Sequence, residues 1–198
     1  MVEQWTVGGR DKKRRERFAL EQWRNRESPR ILFCGDSYSD PTFIQSDPGF
    51  SWIAELEKRD PRVYSKALAG SSNWDIWHQL KEETWDLAIV SLAPLHRIIN
   101  GNKWVHYPPH VVEAMPRIRE MNKRYAERII SLPRTWVWSA FTEYESWPSV
   151  EYHELPGMDE KWGRWIEGEV TGNHYTRKGN EIILDHMKQI IEKQLCAP

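Results

Sequence analysis

Four short apolar runs, each closed by a turn and followed by a stretch of helical spacing, fix the fold of this chain. The first, Arg30-Ile31-Leu32-Phe33-Cys34, stops at Gly35. A second candidate spans residues 63–69 and ends at Gly70; residues 85–92 (WDLAIVSL) and 135–141 (TWVWSAF) give two more. Runs this apolar predict strands buried on both faces. Between them lie helical patterns. Residues 50–58 carry Trp52, Ile53 and Leu56 on one face, and Ser72 is placed to cap a helix bearing Trp74, Trp77, His78 and Leu80. Residues 110–130 put Val111, Met115, Ile118, Met121, Tyr125 and Ile129 on an inner stripe. Residues 176–195 bury Ile182, Ile183, Met187, Ile190 and Ile191. Strands alternating with helices predict a mostly parallel sheet, and right-handed crossovers make it an α/β fold, a three-layer α/β/α sandwich.

A chain of 198 residues is read as one domain, able to bury roughly 70% of its unfolded surface without disulfide staples. Residues 1–28 read as a basic, helical N-terminal extension, and residues 29–198 as the domain itself. The extension runs into a stretch, residues 10–30, with nine basic and four acidic side chains. It reads as a solvated helix on the domain edge, with a polyanion-binding arm as the alternative. Over the whole chain Lys+Arg is 28 and Asp+Glu is 29, so bulk charge argues against a nucleic-acid binder. No window holds eighteen uninterrupted apolar residues, and the N-terminus has no apolar core behind its charges. A cytoplasmic protein is expected; a phage-encoded, virion-associated one would read the same way. Cys34 and Cys196 lack ligand spacing, and Cys34 reads as a small buried hydrophobe.

In a parallel sheet ligands bind at the carboxyl ends of the strands, which directs attention to residues 35–40, 70–73, 93–97 and 142 onward. Gly35-Asp36-Ser37 follows the first strand immediately. A serine on a strand-to-helix turn presents its hydroxyl where backbone N–H groups point outward, which suits a nucleophile with oxyanion donors; Gly-Asp-Ser is also ordinary turn chemistry. At the other end, Asn173-His174-Tyr175-Thr176-Arg177-Lys178-Gly179 sets a histidine just before the last helix. Serine and histidine on one sheet edge form the activated-nucleophile pair.

Together these segments resemble the SGNH hydrolases, or GDSL-type esterases. Gly35-Asp36-Ser37 is similar to the first block of that family and His174, with Thr176 and Gly179, to its last. The resemblance implies the flavodoxin-like sandwich of SGNH type, Ser37 as nucleophile, His174 as general base, and oxyanion donors at the N–H groups of Ser37 and Gly70. It implies neither cofactor nor metal. Two positions depart from the family. The third block, Gly-x-Asn-Asp in the family, is Ala93-Pro94-Leu95-His96 here, with Leu95 near the place of the oxyanion asparagine. Ser71, Asn73, Asn100, His96 or Arg97 are the alternative donors. The acid three residues before the histidine is replaced by Thr171, leaving Glu167, Glu169 or a backbone carbonyl to orient the ring. Asp36 and Asp40 read as turn caps.

Twelve tryptophans are an unusual number. Trp52, Trp74, Trp77, Trp85 and Trp136 fall on predicted elements and read as core or rim. Trp147, Trp162 and Trp165, with Tyr144 and Tyr152, occupy a long segment, residues 142–172, that reads as a lid. Aromatic rings there suit a sugar face or an acyl chain, although they serve equally to hold a loop down. The expected activity is hydrolysis of an ester, with an O-acetylated glycan as the first substrate to test. The rival is an SGNH-like module, impaired in catalysis, that binds a glycan or a protein. His96-Arg97 could meet an anionic group. His106 and His110, split by Pro108-Pro109, make a poor metal site.

Overall fold

The computed structural model describes residues 17–27, 29–42, 50–97, 109–152 and 177–196. Five strands form one sheet: β1 Ile31–Cys34, β2 Val63–Ser65, β3 Leu87–Ser91, β4 Thr135–Ser139 and β5 Glu151–Tyr152. Their order is β2-β1-β3-β4-β5, and every neighbouring pair runs parallel. The helices are α1, described over residues 17–24, then α2 Trp52–Arg59, α3 Asn73–Lys81, α4 Pro109–Ile130 and α5 Arg177–Leu195. Helices α2 and α5 pack together on one face, and α3 packs on α4 over the other.

The period of two along β1 divides the core. Ile31 and Phe33 face Trp52, Ile53, Met187 and Ile191 from α2 and α5. Leu32 and Cys34 face Ile76, Leu80, Ala126 and Ile129 from α3 and α4. Both faces of the strand are dry, which is why the run reads as continuously apolar. Burial also drives the Cys34 thiol far above its usual range, so it behaves as the inert small hydrophobe expected. At the β2 edge α1 lays Trp23 on Tyr64, ring centroids 5.5 Å apart, and the Trp23 indole donates to Arg62 O at 2.8 Å. That contact covers part of an otherwise open strand edge.

The elements differ from the sequence reading in instructive places. β2 ends at Ser65, because the chain then bends over the β1 turn: Leu68 N donates to Gly35 O at 3.1 Å and Ala69 N to the Asp40 carboxylate at 2.8 Å. The buried stripe of α4 is Asn122, Ala126 and Ile129, one residue on from the Met121–Tyr125 line, because Asn122 holds loop carbonyls described below. Residues 142–152 contain a 3-10 turn, Thr142–Tyr144, and then the short strand β5. Residues 153–172 lie outside the described residues. Among the described residues no helix is long and apolar enough to cross a membrane.

Candidate active site

The strand order reverses between β1 and β3. The connection from β1 goes outward to β2, and the next crosses back over β1 to β3. The crevice beyond the carboxyl ends of these two strands is where such sheets bind ligands. Three loops meet there, residues 35–40 after β1, 66–72 after β2 and 92–97 after β3.

Side chains clasp the three loops together. Gln79, buried on α3, accepts from Gly35 N at 2.8 Å, and its amide nitrogen donates to Gly35 O at 3.1 Å and to Ser71 Oγ at 3.0 Å. Asp40 accepts from Ala69 N and, through its other oxygen, from Thr42 N, both at 2.8 Å. The residues on either side of Gly70 are therefore each tied to the loop that carries Ser37. Gly70 itself sits at φ +87°, a conformation that L side chains adopt at a cost. Toward β3, Ser39 Oγ lies 3.1 Å from Ser91 Oγ. A Cβ on Gly35 would meet Ser91 Oγ at 1.9 Å, so only glycine lets β1 leave the sheet here.

Asp36 is fully buried. Its Oδ1 accepts from Tyr38 N at 3.2 Å, the turn-capping role expected of it. Its Oδ2 lies 3.6 Å from Arg97 Nη2 and accepts no hydrogen bond from a described residue. Burial raises its pKa to about 6, against the pull of Arg97 and the backbone N–H groups. Ser37, between Asp36 and Tyr38, is half-buried.

The third loop is held by Asn122, Asn73 and Tyr144. Asn122 donates to Leu95 O at 2.8 Å and Arg97 O at 2.7 Å. Asn73 accepts from Ala93 N at 2.9 Å, while its amide protons go to Tyr144 OH at 2.8 Å and Asn122 O at 3.3 Å. Asn73, one of the expected replacement oxyanion donors, thus has both protons committed to positioning the loop. Leu95 N, at the third block, donates to Glu143. Tyr144 takes the second of the two roles expected of the aromatics in this segment, holding a loop down. It is fully buried and donates to Ala93 O at 2.8 Å, so it is a strut of the loop and presents no face to a sugar. Trp147 packs edge-on against it at 5.1 Å. His96 is half-buried, and burial lowers its pKa, favouring the neutral imidazole.

Trp74, expected in the core or at its rim, stands at the rim. It is half-exposed, stands 4.2 Å from the His78 ring and, with Gly70 and Ser71, lines a cavity of about 460 Å³ that also touches Lys66 and Glu82. His174, Glu167, Glu169, Thr171, Asn100, Trp162 and Trp165 lie outside the described residues. The described start of α5 is anchored at this edge. Asn180 accepts from Trp52 N at 3.2 Å, and the Trp52 indole donates to Tyr38 O at 2.8 Å.

Gln79 and Asn122 were not singled out by the sequence, though each leaves a signal. Both are polar residues at helix positions beside apolar core residues, and a buried amide demands partners.

No family model and no curated protein matches the chain. Among solved structures, it is similar to a GDSL-like lipase of Bacteroides thetaiotaomicron, at 13% identity and TM-score 0.45, over 90% of this chain and 97% of that one. It is also similar to a candidate acylhydrolase of Bacteroides fragilis, at 12% identity and TM-score 0.48, over 92% of this chain and 96% of that one. The likeness is one of chain path. It assigns no residue a role.

Proposed function

We propose that the chain is a serine ester hydrolase of the SGNH type, with an O-acetylated glycan as the substrate class to test first. The observation that carries this reading is the clasp itself. Gly35-Asp36-Ser37 and Gly70 stand on adjoining loops at the sheet's reversal point, fixed to each other through Gln79 and Asp40. Ser37 Oγ attacks the ester carbonyl carbon while His174 takes its proton. The carbonyl π pair moves onto oxygen, where the N–H groups of Ser37 and Gly70 receive it. Collapse expels the alcohol oxygen, which takes the proton from His174 and leaves Ser37 acylated. Water, deprotonated by His174, then releases the acid and restores Ser37. His174 is taken as the base because the segment around it, with Thr176 and Gly179, is similar to the last block of that family. Glu167, Glu169 or a backbone carbonyl is the corresponding choice for the group behind the ring.

The second reading is a glycan- or protein-binding module that has lost turnover. The commitment of Asn73 and of Leu95 N to structural bonds favours it, since each takes away a donor that could have stood in for the missing asparagine. Turnover of p-nitrophenyl acetate by the wild type and by Ser37→Ala separates the two. The hydrolase reading expects saturable activity that falls at least 1000-fold in a folded Ser37→Ala protein. Equal rates in the two proteins would overturn it.

A further inference from the structure

We propose that the cavity beside Gly70 seats a neutral sugar, with the Trp74 ring as its stacking face; this rests on the reading of the chain as an ester hydrolase built on Ser37. Gly70, Ser71 and Trp74 line one cavity of about 460 Å³, within the range of roughly 300–1,000 Å³ that takes a small ligand. Gln79 lines it too, and the amide that holds Ser71 Oγ also holds Gly35 N and Gly35 O, two residues before Ser37. One side chain therefore joins the cavity wall to the Ser37 loop. Trp74 is half-exposed on α3, and the His78 ring, one helical turn on, stands 4.2 Å from it at a tilt of 53°. Among the described residues the indole has no other ring contact and its N–H donates to no acceptor. The ring is thus braced from one side, with its donor left for a ligand. Leu68, 63% exposed, adds a second apolar contact to the same cavity.

The rest of the lining is polar and, on balance, acidic. Lys66 is already paired with Glu82, and with Glu83 at 3.1 Å. Asp75 spends Oδ2 on the N–H and hydroxyl of Ser72, at 2.8 Å and 2.7 Å, which leaves Oδ1 as an acceptor. Carboxylates accept from hydroxyl groups. The face of an indole is the negative side of its quadrupole and attracts the weakly positive C–H groups on one side of a sugar ring. An acyl chain would satisfy none of these polar groups, so the cavity takes the sugar half of the ester. Two carboxylates against one lysine that is already paired also select against a sugar acid, by repulsion. The covalent step stays at Ser37, and the cavity only positions the ring whose ester is cut.

The test uses the full chain as wild type, Trp74→Ala, Trp74→Leu and Trp74→Phe. The substrates are p-nitrophenyl acetate, the 6-O-acetyl esters of glucose, galactose and N-acetylglucosamine, and 9-O-acetyl-N-acetylneuraminic acid as the acidic sugar. At least one neutral ester is expected to be cleaved with saturation, at a kcat/KM at least tenfold above that of the acidic one. Trp74→Ala and Trp74→Leu should each raise its KM about tenfold. The fall in kcat/KM should be about tenfold larger than any fall for p-nitrophenyl acetate, which carries no sugar. Trp74→Phe should recover part of the loss. If Trp74→Ala does not fold, Trp74→Leu, which keeps an apolar side chain without a ring, carries the comparison. Preference for the acidic sugar, or an unchanged KM in folded Trp74→Leu, overturns the proposal. So does failure to cleave any neutral ester by a protein that turns over p-nitrophenyl acetate. A wild type that neither turns over p-nitrophenyl acetate nor takes a fluorophosphonate adduct on Ser37 removes the nucleophile instead. Saturation-transfer NMR with the methyl glycosides of the same three sugars then judges the cavity by itself. Signals seen with wild type and lost in Trp74→Leu support the sugar seat, and their absence overturns it.

Discussion

Replacing Gln79 with leucine tests the clasp with little change in side-chain volume. In the native protein the Gln79 amide makes three hydrogen bonds, two to Gly35 and one to Ser71, all buried. Leucine can make none. Gly35 O keeps its bond from Leu68 N at 3.1 Å, so its loss is small. Among the described residues Gly35 N has no such second partner, and an orphaned buried N–H costs about 1–3 kcal/mol. The lost Ser71 bond adds about 1 kcal/mol, giving an expected destabilisation of about 2–4 kcal/mol. Equilibrium unfolding in urea would read this as a lower midpoint at unchanged slope. Gln79→Glu sharpens the test, because its carboxylate would face Gly35 O. Protonation turns that repulsion into a donor, so the variant should regain stability as the pH falls. A Gln79→Leu protein within about 0.5 kcal/mol of wild type would show that the loops hold their places without the amide.

Three further residues give expected outcomes. Gly35→Ala should cost about 1–3 kcal/mol through overpacking against Ser91, visible as a lower thermal midpoint. Glu57 is largely buried with its carboxylate on Ser65 N at 2.7 Å, and burial raises its pKa to about 7. A raised carboxylate binds its proton more tightly folded than unfolded, so stability should fall as pH rises from about 4.5 to 7. Glu57→Gln should flatten that slope and stabilise the protein at pH 8 by up to about 3 kcal/mol, measured by urea unfolding across pH. Trp74→Ala should raise KM for esters of bulky sugars while leaving p-nitrophenyl acetate turnover unchanged, since the ring lines the cavity beside Gly70.

The layers of this fold are written plainly in the sequence. Ile31–Cys34 and Leu87–Ser91 are buried on both sides, so their apolar runs could belong only to inner strands of a parallel sheet. Ser72 caps α3 with the reciprocal Asp75 bond, as its place before a helical pattern predicts. Gly35 and Gly70 mark turns for reasons of space and of backbone conformation. Less legible is whatever depends on one distant polar partner. Gln79 reaches 44 residues back to Gly35, and Tyr144 reaches 51 residues back to Ala93; no local periodicity encodes such pairs. β5 has two residues and borrows its pairing from β4, too short to leave a pattern. The ion pair of Asp36 and Arg97 was hidden for the same reason, although each residue drew notice on its own.

The central claim is that Ser37 is an activated nucleophile on this clasp. Treatment with a fluorophosphonate, followed by intact mass and peptide mapping on wild type and Ser37→Ala, tests it directly. The account predicts one adduct on the wild type, mapped to Ser37, and none on the variant. A folded wild type that takes no adduct, or an adduct that persists in Ser37→Ala, would contradict it.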